Sequence, residues 1–130
     1  MTLVAGDSGV QILALEDGLH IRPAGWRVLL TLRRDVTVPW AAVTRVAVEP
    51  PPRLRLFARV YGTDVPGRLK AGTFRTDGKR LFVWLKRARQ VLVIDADGYK
   101  GSPYDRYVIE VGDPDHVAEA LDAQRRRRAS

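Results

Sequence analysis

The sequence predicts a mainly β fold, in which seven or more short antiparallel strands are closed by one C-terminal α-helix. Three observations carry this prediction. Turn signals rich in Gly, Pro and Asp recur along the chain, short apolar runs rich in β-branched and aromatic residues lie between them, and only the C-terminal segment has helical periodicity. The turn signals are Glu16-Asp17-Gly18, Pro23-Ala24-Gly25, Pro50-Pro51-Pro52, Pro66-Gly67, Asp77-Gly78, Asp97-Gly98 and Gly112-Asp113-Pro114.

The first predicted strands form a hairpin. Val10–Leu15 and Leu19–Arg22 flank Asp17-Gly18, a dipeptide typical of a tight turn between antiparallel strands. Three further strands are predicted at Trp26–Leu32, Asp35–Pro39 and Val43–Val48.

Residues 53–61 alternate strictly between two faces, which favours a half-buried strand, although the pattern leaves a short helix open. The core face of this strand would carry Leu54, Leu56, Ala58 and Val60. The opposite face would carry Arg53, Arg55, Phe57, Arg59 and Tyr61.

A second hairpin and two more strands are predicted in the C-terminal half. Ala71–Arg75 and Leu81–Leu85 are joined by a turn at Asp77-Gly78. Val91–Ala96 follows the basic turn Lys86-Arg87-Ala88-Arg89, and the last strand is Arg106–Val111.

The chain then changes to helical periodicity. Asp113 suits an N-cap and Pro114 the first helical position. Four arginines, Arg125–Arg128, suit the negative end of the helix dipole. The amphipathic stripe consists of Val117, Ala120, Leu121 and Gln124. We expect a helix of about four turns, which must pack on the sheet to be stable.

Length and composition predict one domain in residues 1–124, with residues 125–130 as a basic, frayed C-terminal tail. The chain has 130 residues, 45% of them hydrophobic and 28% charged, the usual balance of a folded domain. Cysteine is absent, which excludes disulfides, thiolate metal sites and cysteine nucleophiles. No apolar run approaches the ~20 residues of a membrane span, and no secretory signal is evident. These features predict a cytoplasmic protein.

The net charge of +7 is unevenly distributed. Residues 53–90 carry eleven basic side chains against two acidic ones, whereas residues 91–124 carry two against eight. A basic segment of this kind either pairs with acids in the fold, or forms a solvated face, or meets a polyanion.

Several short segments together resemble the bacterial pleckstrin-homology-like domains. They are Val36–Trp40, Val43–Val46, Tyr61–Gly67, Gly72–Phe74, the hairpin strands Leu81–Leu85 and Val91–Ile94, Tyr107–Ile109 and Asp113–Asp115. The resemblance covers about residues 10–124 and implies a partly open barrel of about seven antiparallel strands in two sheets, closed by the helix. Lipid-binding members place basic residues around the first hairpin loop, whereas Glu16-Asp17-Gly18 is acidic here.

The sequence favours a protein without catalytic, cofactor-binding or metal-binding residues. His20 and His116 lack the spacing of a metal motif, and the glycines form no phosphate loop. Asp95 and Asp97 lie two apart without a third ligand, which favours a strand end running into a turn.

Three surfaces remain as candidates for binding. The first is an aromatic-centred protein interface at a barrel edge, with Trp40 as the most exposed tryptophan. The second is the basic and aromatic face of residues 53–61, which would bind a nucleic acid. The third is a polybasic attachment to anionic lipid through Arg125–Arg128, with Lys86, Arg87 and Arg89.

From these alternatives we predict a binding or self-association module that recognises a protein partner or a second copy, with no small-molecule substrate. The alternative is peripheral attachment to anionic lipid, at the inner face of the membrane, or to nucleic acid, through segment 53–89 and Arg125–Arg128. The candidate binding surface is Trp40, Arg53, Arg55, Phe57, Arg59, Tyr61, Lys86, Arg87 and Arg89.

Overall fold

A computed structural model describes most of the chain: residues 2–5, 10–23, 36–51, 58–65, 69–76, 78–86 and 89–129. These residues form ten strands in two sheets, together with one C-terminal α-helix. The mainly β prediction is therefore confirmed, and the ten strands agree with the expected seven or more. The predicted strand Trp26–Leu32 lies outside the described residues.

The smaller sheet contains four strands in chain order: β1 (Thr2–Ala5), β2 (Val10–Ala14), β3 (Leu19–Pro23) and β4 (Val36–Val38). The predicted hairpin between β2 and β3 is confirmed, and Leu15 N donates to Gly18 O at 3.0 Å across its turn. The short strand β4 pairs with β3, and Val36 and Val38 are buried on its core face.

The larger sheet contains six strands in the order β5-β9-β10-β8-β7-β6. Their bounds are β5 (Val43–Glu49), β6 (Ala58–Val65), β7 (Leu69–Thr76), β8 (Lys79–Leu85), β9 (Val91–Ala96) and β10 (Arg106–Ile109). The predicted hairpin of β7 and β8 is confirmed. In the described residues neither sheet closes into a barrel.

The expectation that all strands are antiparallel is wrong for β8 and β10. The last strand inserts between β8 and β9, antiparallel to β9 and parallel to β8. Because β8 and β9 run in opposite directions on either side of it, a strand placed between them must be parallel to one of the two.

Both faces of the central strands are buried. Phe82, Trp84, Tyr107 and Ile109 pack with β2 and β3 of the smaller sheet in the main core. Val108 points to the other face, where a second cluster is formed entirely by residues of the larger sheet. Each fully buried side chain of this kind contributes about 1.5–3 kcal/mol, so the central strands stabilise the fold through both of their faces.

The helix α1 (Pro114–Ala129) packs against β5 and β9 of the larger sheet and β1 of the smaller one. Asp113 caps it as predicted, since Asp113 Oδ1 accepts from His116 N at 3.2 Å. Val117 and Leu121 are buried beneath it. The helix continues through Arg125–Arg128, so these arginines belong to its last turns rather than to a separate tail. No helix in the described part of the chain has the length and hydrophobicity of a membrane span.

Candidate binding groove

The structure places the residues of the predicted binding surface in separate regions. Trp40 precedes β5, next to the Ala96 end of β9, whereas the exposed Lys86 and Arg89 lie near the Val91 end. The six residues of β9 separate these two places by about 17 Å.

Segment 53–61 is only partly described. Arg59 and Tyr61 lie in β6, the strand at the opposite edge of the larger sheet from β5. Five strand spacings across a sheet amount to about 24 Å. The remaining members of the predicted surface, Arg53, Arg55, Phe57 and Arg87, lie outside the described residues.

Trp40 is held by its own 3-10 turn and by a hydrogen bond to the main chain at the end of β2. It begins a 3-10 turn, Trp40–Ala42, which Ala42 N closes by donating to Pro39 O at 2.8 Å. The indole Nε1 donates to Leu15 O at 2.8 Å. The ring is therefore fixed in orientation, and the half-buried side chain keeps one part accessible.

A second 3-10 turn, Gly98–Lys100, lies beside the first. Asp97 joins the two turns, because its N donates to Ala42 O at 2.8 Å while its Oδ1 accepts from Tyr99 N at 2.9 Å. Gly101 ends the second turn with φ of 102°, a left-handed conformation that favours glycine. Among the described residues, Tyr99 is the large hydrophobic side chain that is fully exposed.

The C-terminal end of α1 completes the groove. The Arg128 guanidinium carbon lies 6.0 Å from the centroid of the Trp40 ring, within the range of a cation–π contact. Arg125 donates to Asp122 Oδ1 from Nε at 3.1 Å and from Nη2 at 2.7 Å. Arg126 donates to the other oxygen of the same carboxylate.

These three elements enclose a groove of about 340 Å³, which we call the Trp40 groove. The described residues that line it are Trp40, Ala41, Val43, Lys100, Arg125 and Arg128. Three of them are cationic and none is acidic, so the groove offers an apolar floor edged by positive charge. Within the described part of the chain, no carboxylate forms an ion pair with Lys100 or Arg128.

Asp122 is linked to this arrangement through its pairing with Arg125. Hydrogen bonds from Arg125, and then from Arg126, lower the pKa of Asp122 below its ordinary value. The carboxylate therefore stays ionised at neutral pH and neutralises part of the charge at the end of the helix.

A second cavity, of about 530 Å³, lies on the other side of the Gly98–Lys100 turn and includes Tyr99 in its wall. Its two carboxylates already have structural partners. Asp97 accepts from Tyr99 N, and Asp105 Oδ2 accepts from Arg80 N at 2.9 Å. Asp97 therefore stabilises the Gly98–Lys100 turn, and Asp105 stabilises the chain crossing that leads to β10.

The sequence singled out other titratable residues, and the structure gives them local partners. His20 is buried, with Nε2 3.0 Å from Asp17 Oδ1. Asp95 pairs with Arg45 and Arg106, and Asp97 lies at the strand end, as predicted. In the described residues no three His, Cys, Asp or Glu side chains are grouped so that they could hold a metal ion.

Sequence reasoning identified Trp40 and the arginine run separately, but it did not bring them together. Lys100 was missed entirely, since a single lysine in an acidic segment carries no motif. The available signal was the Gly98-Tyr99-Lys100-Gly101 turn, in which an aromatic and a cation stand between two glycines. No protein-family model, curated protein or solved structure matches the chain.

Proposed function

We propose that this chain is a non-enzymatic binding module that recognises a protein partner at the Trp40 groove and the adjoining Tyr99 turn. The observation that carries the proposal is the groove itself, a fixed tryptophan edged by three cations, next to a turn whose Tyr99 side chain is fully exposed. Tryptophan, tyrosine and arginine are the side chains that dominate the energetics of protein interfaces.

The rigidity of the groove supports this function. The Trp40 ring is held by its bond to Leu15, and the Tyr99 turn is held by Asp97. Aromatic side chains in a preformed orientation lose little conformational freedom on binding, which raises the affinity of a given contact area. A mobile side chain of similar area would contribute less.

A pleckstrin-homology-like architecture and self-association through a barrel edge belong to the same proposal. Two sheets and one C-terminal helix are consistent with such a fold, whereas the parallel pairing of β8 and β10 departs from an all-antiparallel barrel. A second copy is one candidate partner, because an edge strand offers backbone groups to another chain.

The alternative function is peripheral attachment to anionic lipid or nucleic acid. Its support is the exposure of Arg126, Arg127 and Arg128 at the end of α1, together with Lys86 and Arg89. Each basic residue near an anionic membrane contributes about 1 kcal/mol. Binding of this kind weakens steeply with salt, whereas a protein interface with an apolar centre does not.

The test is a selection of binding peptides from a random 12-residue phage-displayed library, repeated with two matched variants. Ala41→Glu places a carboxylate in the groove, at an exposed position of the first 3-10 turn. Ala123→Glu makes the same change at an exposed position of α1 that does not line the groove. We expect peptides that bind the wild type and the Ala123 variant but not the Ala41 variant.

Two further measurements complete the design. Sedimentation velocity of the wild type and Ala41→Glu shows whether the groove joins two copies. Cosedimentation with phosphatidylserine vesicles at low and high salt, with duplex DNA as a competitor, tests the alternative. The proposed function would be overturned if the library yielded no peptide whose binding depends on the groove and the chain formed no dimer that depends on it. Vesicle binding that salt or DNA abolishes would then favour the alternative.

A further inference from the structure

We propose that the Trp40 groove binds the side-chain carboxylates of an acidic segment in the protein partner, and that Asp122 competes with that segment for Arg125. This inference rests on the proposed function and names the chemistry of its ligand. It gives the ion pairs at the end of α1 a role in binding, in addition to any role in the stability of the helix.

Charge complementarity carries the first step. Lys100, Arg125 and Arg128 edge the groove, and none of the described residues that line it is acidic. A neutral occupant would remove Lys100 and Arg128 from water without giving them a counter-charge, which is costly. An occupant with carboxylates meets both cations and leaves the Trp40 ring to contact an adjacent apolar side chain.

The geometry of Arg128 carries the second step. Its guanidinium carbon lies 6.0 Å from the centroid of the Trp40 ring, a contact that uses no hydrogen-bond donor. A guanidinium held in this way presents a planar fork of donors that matches a carboxylate. Arg128 can therefore bind a carboxylate while it remains against the Trp40 ring.

The third step concerns Asp122, whose carboxylate already binds Arg125 as the carboxylate of a ligand would. Its Oδ1 accepts two bonds from Arg125, and its Oδ2 accepts from Arg126 at 3.0 Å. Arg125 belongs to the groove wall, so an incoming carboxylate must share or replace the bond to Asp122. The ion pair of Asp122 with Arg125 therefore lowers the affinity for an acidic ligand, so that a higher concentration of the partner is needed for binding.

The surroundings favour a short acidic segment over a phosphate polymer or a membrane. Asp97 precedes the turn that carries Lys100, and Asp122 lies beside Arg125, a residue of the groove wall. An extended polyanion across the groove would approach these carboxylates, with a repulsion that local contacts must overcome. A segment with one or two carboxylates contacts the three cations alone.

The experiment uses the peptides enriched in the library selection, synthesised with a fluorescein label and titrated by fluorescence anisotropy. We expect Asp and Glu to be enriched above their frequency in the library. Replacing them with Asn and Gln, or introducing Lys100→Gln or Arg128→Gln, is expected to weaken binding at least about fivefold, the loss of roughly one charge-assisted contact.

Asp122→Asn provides the decisive variant, since it removes the competitor without touching the groove wall. We expect it to tighten peptide binding about threefold to tenfold, a change of roughly one ion pair. Glu119→Gln is the matched control, because it removes the same charge from an exposed position of the same helix and should leave the affinity unchanged.

The outcomes separate the inference from the proposed function. Groove-dependent peptides without acidic residues, or an Asp122→Asn variant that binds equally or more weakly, would overturn the inference and leave the proposed function standing. Vesicle binding that depends on Lys100 and Arg128, without enrichment of acidic peptides, would overturn it in favour of lipid phosphate. Absence of any groove-dependent peptide would overturn both.

Discussion

Gly18 shows how one residue fixes the approach of two strands. A β-carbon added at Gly18 would lie 2.4 Å from Val38 O and 3.1 Å from Pro39 Cα. These are backbone atoms, which cannot rotate away, so the turn of β2 and β3 would have to move away from β4. We expect Gly18→Ala to lower the free energy of unfolding by about 3 kcal/mol, measured by urea denaturation.

Gly98→Ala is the control for this prediction. A β-carbon at Gly98 would meet Asp105 Oδ1 at 3.5 Å, an ordinary contact, and Gly98 is exposed. We expect a change of about 0.5 kcal/mol or less, as at most surface positions. Equal stabilities for the two variants would show that the hairpin turn does not contact the backbone at the end of β4.

At this scale, alternation along a strand was the reliable signal in the sequence. Alternation puts Phe82 and Trp84 on one face of β8 and Val83 on the other, and the structure buries the two faces in separate clusters. Alternation carries no information on partners distant in the chain, which is why the contact between Trp40 and Arg128 was not predicted.

Among the elements, the chain crossing from β9 to β10 is stabilised by a buried polar network. Ser102 Oγ donates to Tyr104 O and lies 2.8 Å from Tyr107 OH. The Tyr104 hydroxyl lies 3.0 Å from Thr73 Oγ1. These bonds join the crossing to β10 and β7, so the network determines where the last strand enters the larger sheet.

We expect Ser102→Ala to lower the free energy of unfolding by about 2 kcal/mol, because it leaves buried groups of both tyrosines without this partner. Tyr107→Phe removes the other end of one bond. The double variant should be less destabilised than the sum of the single variants, by about 1 kcal/mol. Strict additivity in urea denaturation would mean that Ser102 and Tyr107 do not interact.

The contribution of Asp122 to the stability of α1 should depend on pH. Bonds from Arg125 and Arg126 lower the pKa of Asp122 in the folded state. A carboxyl group of this kind stabilises the fold above its unfolded pKa, near 3.9, and the stabilisation is lost as the pH falls through the lower folded value.

We therefore expect Asp122→Asn to cost about 0.5 kcal/mol at pH 7, as is typical of pairs that are partly exposed. The difference from the wild type should shrink as the pH falls below 4, and it should also shrink at high salt. Urea denaturation at pH 3, 5 and 7 measures it. A difference that does not change with pH would show that the ion pairs of Asp122 do not stabilise the helix.

The elements themselves could largely be predicted, whereas their order in the sheet could not. Both hairpins are local, since Asp17-Gly18 and the turn before Lys79 fix the pairing of adjacent strands. The insertion of β10 between β8 and β9 depends on which strands leave a position open. Residues of β10 alternate equally well beside a parallel or an antiparallel neighbour, so its sequence does not determine the direction of pairing.

For the whole molecule, the arrangement of charge differs from its arrangement in the sequence. Described residues of the basic segment lie at different places, with Lys79 beside the second cavity and Lys86 at the other end of β8. The concentrated cationic site instead combines Lys100 with the end of α1. A net charge for a segment describes a surface only when its residues share one face.

The central position of β10 makes the stability of the whole fold depend on the C-terminal quarter of the chain. β8 and β9 are not neighbours, and β10 alone joins them in the described sheet. Without it, the larger sheet divides into β5 with β9 and a separate group of β8, β7 and β6. The main core also loses Tyr107 and Ile109, which are fully buried.

This dependence predicts different results for three truncated chains. A chain ending at Gln124 keeps β10, Val117 and Leu121, and it loses the ion pairs of Asp122. We expect it to unfold cooperatively with a Tm about 2–5 °C lower than the full chain, since exposed pairs contribute up to about 1 kcal/mol. A chain ending at Gly112 loses α1 and should bind a hydrophobic dye through the uncovered core.

A chain ending at Asp105 should show no cooperative transition at all. Loss of two large buried side chains costs several kcal/mol, of the order of the total stability of a small domain. Thermal melts followed by circular dichroism distinguish the three chains. A cooperative melt of the chain ending at Asp105 would mean that β8 and β9 can pair directly. In that case β10 would not be needed to join the two parts of the larger sheet.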